Sequence, residues 1–230
     1  PYRWLEADVR VSEEVAEWVE AQNAVTDAYL AELPGRDHIA GRLRELWNYE
    51  RYGLPERAGD RYFYTRNDGL QDQSVLYVAD GLDAEPRVAI DPNAWSGDGT
   101  TALAGWEPGP DGARLVYAVQ EGGSDWRTLR VLDVETGETL GDEIDWVKFS
   151  PISWAQDGSG FFYSRYPEPA EGETFTALNL NQAIYFHEIG TEQSQDRLIL
   201  ADPDNPEVGW RGSVSDDGRY LIINSSTGTD

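Results

Sequence analysis

Asp111-Gly112-Ala113-Arg114-Leu115-Val116-Tyr117 sets a turn-forming pair directly before a run of aliphatic and aromatic residues. Aspartate closes a short turn onto the backbone that follows it, glycine takes the left-handed conformation at no steric cost, and the apolar run favours a strand. The phrase recurs as Gly59-Asp60-Arg61-Tyr62-Phe63-Tyr64 and as Asp157-Gly158-Ser159-Gly160-Phe161-Phe162-Tyr163, and it opens once more at Asp217-Gly218-Arg219-Tyr220-Leu221-Ile222-Ile223. A spacing of roughly fifty to sixty residues lies in the range of propeller blades or solenoid units.

Each repeat carries further strands. A second one follows the first at hairpin distance, from Ser74 to Val78, from Trp126 to Val134 and from Ala183 to Ile189, and Glu135-Thr136-Gly137 turns the chain into another. Trp106, Trp154 and Val214 stand shortly before the Asp-Gly pairs, where a preceding strand would run. Four short antiparallel strands per repeat make a propeller blade, whose radial arrangement hides most strand edges. A β-sandwich has strands of similar length but lacks the periodic phrase, so the expected fold is a partial β-propeller of about three blades and the start of a fourth. Such a piece cannot close a ring, and the chain is expected to end within its domain.

The first fifty residues follow another period. From Ser12, Val15, Trp18, Val19, Val25, Tyr29 and Leu33 trace one helical face, with Glu13 and Glu14 placed favourably in the first turn and Pro34-Gly35 at its end. A second helix is expected from an Asp37 cap, with Ile39, Leu43, Leu46 and Trp47 on its apolar side. Two helices bury too little to fold alone. The expected division is therefore a helical segment over 1–52 that needs an apolar partner, and a mainly β domain over 53–230.

Forty-three acidic residues against eighteen basic ones give a net charge of −25, and Lys148 is the lone lysine. That field repels nucleic acid and anionic membranes, so neither is expected as a partner. The acidity reads most simply as solubility, as in a salty habitat. With no cysteine there are no disulfides or thiolate metal sites, and no apolar run has the length of a membrane span. The opening Pro1-Tyr2-Arg3-Trp4 lacks a methionine, which points to a natural start further upstream. The compartment is expected to be cytoplasmic or periplasmic.

Catalytic groups are sparse. A nucleophile elbow needs Gly-x-Ser-x-Gly, which does not occur here, and Ser124 and Ser159, the nearest approaches, read as turn serines. His38 and His187 lie in different segments without a suitable neighbour for proton transfer or metal binding. His38 reads as an exposed first-turn residue and His187 as a strand residue. Asp196, Asp202 and Asp204 lack the ligand spacing of a calcium loop and read as a solvated loop. No cofactor, no metal and no catalytic residue is expected within these 230 residues.

The phrases in their order resemble the N-terminal part of the prolyl oligopeptidase family. Pro1-Tyr2-Arg3-Trp4-Leu5-Glu6 is similar to the family's opening without its leading aspartate, and Arg61-Tyr62-Phe63-Tyr64, Asn67 and Gly69-Leu70-Gln71-Asp72-Gln73-Ser74-Val75-Leu76-Tyr77 to its first blade. Asp91-Pro92-Asn93, Asp98-Gly99-Thr100, Gly123-Ser124-Asp125-Trp126, Val147-Lys148-Phe149-Ser150, Trp154 with Asp157-Gly158, and Gly190-Thr191-Glu192-Gln193-Ser194 continue the match. The Asn-x-Gly-Leu-Gln-x-Gln and Gly-Thr-x-Gln-Ser phrases favour the proline-specific branch over the oligopeptidases that cut at basic residues. A dipeptidyl or acylaminoacyl peptidase would need different N-terminal segments.

The resemblance implies a serine peptidase of helix, seven-bladed propeller and α/β-hydrolase construction. Its N-terminal helices would pack on the chain's own C-terminal hydrolase domain, and the serine, aspartate and histidine would lie beyond Asp230, leaving the 230 residues inactive alone. The intact protein, expected to be a monomer, would cleave short proline-containing peptides after proline by acyl transfer, with the propeller capping the active site and excluding folded substrates. Two positions would bind substrate. Asp125 would pair with a hydrolase-domain arginine that holds the peptide backbone, and Phe149 would line an apolar subsite three residues before the cut. Without the resemblance, Asp125 reads as a loop capper and Phe149 as a core aromatic. Thr229 aligns with another cavity position. The competing reading is a propeller that serves only as a binding or scaffold module.

Overall fold

The computed structural model describes residues 2–228 and divides into two compact units, one ending at Tyr49 and the other beginning at Glu50. In the first, a 3-10 turn at Arg3–Glu6 precedes α1 (Glu13–Ala31) and α2 (Arg36–Trp47). Ser12 caps α1: its Oγ accepts a hydrogen bond from the Val15 N–H at 3.4 Å, with Glu13 and Glu14 in the first turn near the positive end of the helix dipole. The start of α2 differs from expectation. Gly35, at φ 87°, takes the N-cap place and makes the turn between the helices, so Asp37 falls inside the first helical turn and caps nothing. His38 is exposed there. Trp18, Val25, Tyr29, Leu33, Ile39, Leu43, Leu46 and Trp47 are all exposed, and Val15 alone of the described helical residues is buried. Among the described residues no helix is long and apolar enough to cross a membrane.

The second unit is antiparallel throughout. β1 (Arg51–Tyr52), β2 (Glu56–Ala58), β3 (Arg61–Asn67), β4 (Val75–Ala79) and β5 (Arg87–Ile90) form one sheet, in which β1 and β2 both pair with β3. The sheet thus starts at Arg51, inside the stretch assigned above to helices. β6 (Thr101–Pro108), β7 (Arg114–Glu121), β8 (Arg127–Asp133) and β9 (Thr139–Val147) run as a four-stranded meander. β10 (Ser153–Trp154), β11 (Gly160–Arg165), β12 (Ala183–Glu188) and β13 (Arg197–Leu200) make a second, joined to the first where Arg165 stands opposite Val147. β14 (Val208–Val214) pairs with β15 (Leu221–Thr227).

The three Asp-Gly occurrences of the phrase fold the same way. Gly112, Gly158 and Gly218 all have φ 69°. The preceding aspartate accepts from the backbone two residues on: Asp111 from Ala113 at 2.9 Å, Asp157 from Ser159 at 3.0 Å and Asp217 from Arg219 at 3.1 Å. These are Asx turns, the local chemistry that the sequence pattern calls for.

Strand β7 explains why successive meanders stack. Leu115 and Tyr117 face a core shared with Phe63, Leu76 and Val78, whereas Val116 and Ala118 face a second core with Ile144, Phe161 and Tyr163. Alternate side chains point to opposite faces, so a strand covered on both sides must be apolar throughout, as Leu-Val-Tyr-Ala is. Hydrogen bonds also link the strands that open each repeat. Trp154 Nε1 donates to the Glu107 carbonyl at 3.1 Å, and the Val214 N–H donates to Ser153 Oγ at 2.9 Å.

One glycine tests this stacking. A Cβ on Gly112 would stand 2.5 Å from the Ala58 carbonyl oxygen, on a backbone already at positive φ. Gly112→Ala is therefore expected to cost about 2 kcal/mol, read as a lower urea midpoint with unchanged slope. A midpoint equal to the parent's would show that this turn is free to move.

Candidate functional site

The site grows from the turn after β7. Gly122 (φ 55°) and Gly123 (φ 70°) reverse the chain, and Ser124 Oγ accepts from the Trp126 N–H at 3.1 Å. Ser124 is thus a turn serine, as is Ser159, whose Oγ donates to Asp157 at 2.6 Å. The capping role falls to Ser124, not to Asp125. The Asp125 side chain is exposed and accepts no hydrogen bond among the described residues.

Trp126 anchors what surrounds this carboxylate. Its Nε1 donates to the Thr174 carbonyl at 2.6 Å, and its ring meets Trp146 and Tyr166 edge to face at 5.5 and 6.3 Å. Over it sits Lys148, whose ammonium lies 3.7 Å from the ring centroid and donates to Asn179 Oδ1 at 3.1 Å. Lys148 is 8% exposed, and that burial pushes its pKa below the ordinary lysine value, against the opposing charge of Asp125. A cation held on an aromatic face and an amide is a strong local anchor. It lies within electrostatic reach of Asp125 and next in sequence to Phe149.

Phe149 is no core residue. Its ring is 44% exposed, and its backbone takes φ 54°, a conformation that costs a bulky side chain of order 1 kcal/mol or more. Flanking bonds hold it there. Gln182, itself buried, donates from Nε2 to the Lys148 carbonyl at 3.1 Å and accepts from the Trp210 N–H at 2.7 Å. Ser150 Oγ accepts from the Ser164 N–H at 2.7 Å. Trp146, three residues earlier, has φ 62°, so this short segment is bent twice into the left-handed region. The Phe149 ring is left exposed and the Trp146 ring rests on Trp126, on backbone geometry that no residue pattern announces. Thr229 lies outside the described residues.

Two expectations need correction. His187 does have suitable neighbours: its Nδ1 lies 2.6 Å from Asp196 Oδ1, its Nε2 lies 2.9 Å from Asp142 Oδ1, and its ring is fully buried. Asp196 is likewise no solvated loop residue, because its carboxylate is buried and also accepts from the Tyr163 hydroxyl at 2.5 Å. Asp142 further accepts the Gly190 N–H at 2.5 Å. Both imidazole nitrogens are consumed, so this histidine cannot take a proton from a serine. The arrangement ties β9, β11 and β12 to the turn that follows.

Comparison with known proteins agrees with this architecture. The family profile described as "Prolyl oligopeptidase, N-terminal beta-propeller domain" matches residues 1–230. The curated prolyl endopeptidase of Elizabethkingia meningoseptica is 41% identical over 230 residues, covering 100% of this chain and 32% of that protein. A solved prolyl endopeptidase structure superposes at a TM-score of 0.73 with 46% identity over 100% of this chain and 32% of its own. Prolyl oligopeptidase B from Galerina marginata, bound to a 25mer macrocyclization substrate, superposes at 0.86 with 31% identity over 99% of this chain and 34% of its own. The chain thus spans about a third of the length of these relatives. With a family profile matched end to end and sheets stacked face upon face, the chain belongs to the prolyl oligopeptidase family, in its N-terminal β-propeller domain.

Proposed function

We propose that this chain is the N-terminal third of a serine-type prolyl endopeptidase and forms the propeller-side wall of its substrate chamber. In this reading its meanders are the first three blades and the start of a fourth in a seven-bladed ring that caps the active site and admits only short peptides. The exposed apolar faces of α1 and α2 pack on the hydrolase domain, which supplies serine, aspartate and histidine in the same polypeptide chain, and the protein acts as a monomer. The serine attacks the carbonyl after proline, histidine carries its proton to the leaving amine, and backbone donors hold the oxyanion.

The observation that carries this reading is the contrast at Asp125. Its turn is held through Trp126, Thr174 and Lys148, while its own carboxylate takes no hydrogen bond from the described residues. A rigidly presented, unused acceptor suits a guanidinium from elsewhere in the protein, which it would orient for the peptide backbone. Phe149, held outward against its backbone preference, suits an apolar subsite.

Two substitutions in the full-length protein test this. Asp125→Ala is expected to lower kcat/KM on a short proline-containing peptide by roughly thirtyfold, the loss of about 2 kcal/mol from one charge-assisted bond, with Tm unchanged. Normal kinetics with a lowered Tm would overturn the role. Phe149→Gly is expected to leave stability unchanged or raised, because glycine relieves the positive φ, while KM rises severalfold. A fall in Tm with KM intact would return Phe149 to a packing role.

A further inference from the structure

Strand β9 leaves its sheet through an irregularity. Arg127 stands opposite Val147 and Leu129 opposite Ile144, so Thr128 alone faces both Asp145 and Trp146. Two residues against one make a β-bulge, which bends the strand and re-aims the side chains beyond it. Trp146, inside the bulge, takes φ 62°, and Phe149 follows three residues later at φ 54°. Strained backbone of this kind persists only where its surroundings hold it.

The hold comes from a turn 48 residues further along the chain. The Asp145 N–H donates to Gln193 Oε1 at 3.1 Å, and Gln193 Nε2 donates back to the Asp145 carbonyl at 3.1 Å. One side-chain amide thus satisfies both backbone groups of the residue that opens the bulge, as a pairing strand would. Thr128 Oγ1 donates to the Asp145 carboxylate at 2.8 Å, and the Tyr166 N–H to the Trp146 carbonyl at 3.0 Å. Gln193 is itself fixed. It opens the 3-10 turn Gln193–Gln195, its side chain hydrogen-bonds Tyr163, and its carbonyl accepts the Asp196 N–H at 3.1 Å. Asp196 is buried against His187, so the amide is mounted on the charged cluster.

Beyond the bulge, Val147 pairs with Arg127 on one side and Arg165 on the other, and Lys148 is bound through its ammonium and its carbonyl. A ladder that slipped by one residue to remove the bulge would turn every following side chain to the opposite face. The groups that fix Asp145 therefore decide the register in which Phe149 is presented. We propose that Gln193 is a positioning residue, whose two-point clasp on Asp145 fixes the bulge in β9 and thereby the presentation of Phe149 to the substrate. This rests on the chamber reading above, in which Phe149 meets the side chain three residues before the cut. Gln193 touches no substrate in that reading, so its loss weakens peptides that reach Phe149 more than peptides that stop short of it.

The test uses the full-length protein and two short peptides with proline at the cut, one carrying an apolar residue three positions before it and one truncated to lack that residue. Wild type is expected to favour the longer peptide by roughly tenfold in kcat/KM, the contribution of one apolar side chain brought out of water. Gln193→Ala is expected to reduce that ratio to about twofold, through KM for the longer peptide rather than kcat. Gln193→Met, which keeps the length of the side chain without its amide, should match alanine. In a Phe149→Gly background, adding Gln193→Ala should change the ratio no further. Both peptides meet the same active fraction of one enzyme, so partial misfolding does not move the ratio. A tenfold ratio that survives Gln193→Ala or Gln193→Met, a further fall in the Phe149→Gly background, or loss of all activity in both single variants would each overturn the proposal while leaving the chamber reading intact. A wild-type ratio near one, or failure of wild type to cut either peptide, would overturn that reading and this one together.

Discussion

Replacing Asp142 with alanine is expected to destabilise the β unit by about 3 to 5 kcal/mol, because it strips one carboxylate from a buried charged cluster and leaves the rest uncompensated. The cluster has a definite protonation state. Carboxylate oxygens lie 2.6 and 2.9 Å from the two nitrogens of His187, so that each nitrogen has an acceptor, the arrangement that suits an imidazolium. Burial alone would lower the histidine pKa, but the hydrogen bonds and charges of Asp196 and Asp142 outweigh it and raise the pKa above the ordinary 6.5. Tyr163, whose own pKa is raised by burial and then by Asp196, stays protonated as a donor, and Arg165 adds a positive charge within its reach. A histidine whose folded pKa exceeds its unfolded one contributes stability that is complete below about pH 6.5 and decays as pH rises through the folded value. Urea midpoints across pH should therefore fall on the alkaline side of neutrality. Asp142→Asn keeps an acceptor for Gly190 and for one imidazole proton, so it should cost less than alanine and move that decline to lower pH. Equal midpoints for parent and Asp142→Ala, or a decline that ignores Asp142→Asn, would show that the cluster does not hold His187 protonated.

What could be read in advance was what is local or periodic. The Asp-Gly phrases are legible because both residues act within the turn itself, and the strand Leu115 to Ala118 is legible because a sheet covered on both faces must be apolar at every position. The start of α1 at Ser12 was readable, whereas Asp37 was not distinguishable from a cap, since the choice fell to the left-handed Gly35 two residues earlier. His187 appeared isolated because Asp142 lies 45 residues away and its approach depends on how β9 and β12 meet in three dimensions. Asp196 looked solvated for the same reason: charge is visible in sequence, burial is not. At the candidate site, Asp125 and Phe149 came from family phrases rather than from any physical pattern. Nothing local announces that Trp146 and Phe149 take positive φ, and the importance of Trp126, Lys148 and Gln182 arises only from contacts across strands. Lys148 left one clue, as the single lysine in a chain rich in acid.

Gly160→Ala is expected to be about as damaging as loss of the buried carboxylate, through the opposite fault. A Cβ on Gly160 would stand 2.0 Å from the His187 carbonyl oxygen and 2.7 Å from Phe186 Cζ, closer than atoms approach without displacement. The nearer obstacle is backbone in the paired strand, where Gly160 stands opposite Glu188 and Phe161 opposite His187, so relief requires β11 and β12 to part at that end. Phe161 is fully buried and packs on Trp154, Tyr163 and the imidazole itself, so any parting also loosens the core on that side. Overpacking that displaces backbone lies at the upper end of its usual range, and about 3 kcal/mol is expected. Because the displaced strand carries His187, the same movement lengthens its bonds to Asp142 and Asp196. The two substitutions therefore share a target, and Gly160→Ala with Asp142→Ala should destabilise by about 1 kcal/mol or more less than the separate effects added together. Urea midpoints of the two single variants and the double, taken at pH 6 where His187 is protonated, measure that difference. Simple additivity would mean that the glycine guards only the local strand crossing and that the charged cluster stands independently of it.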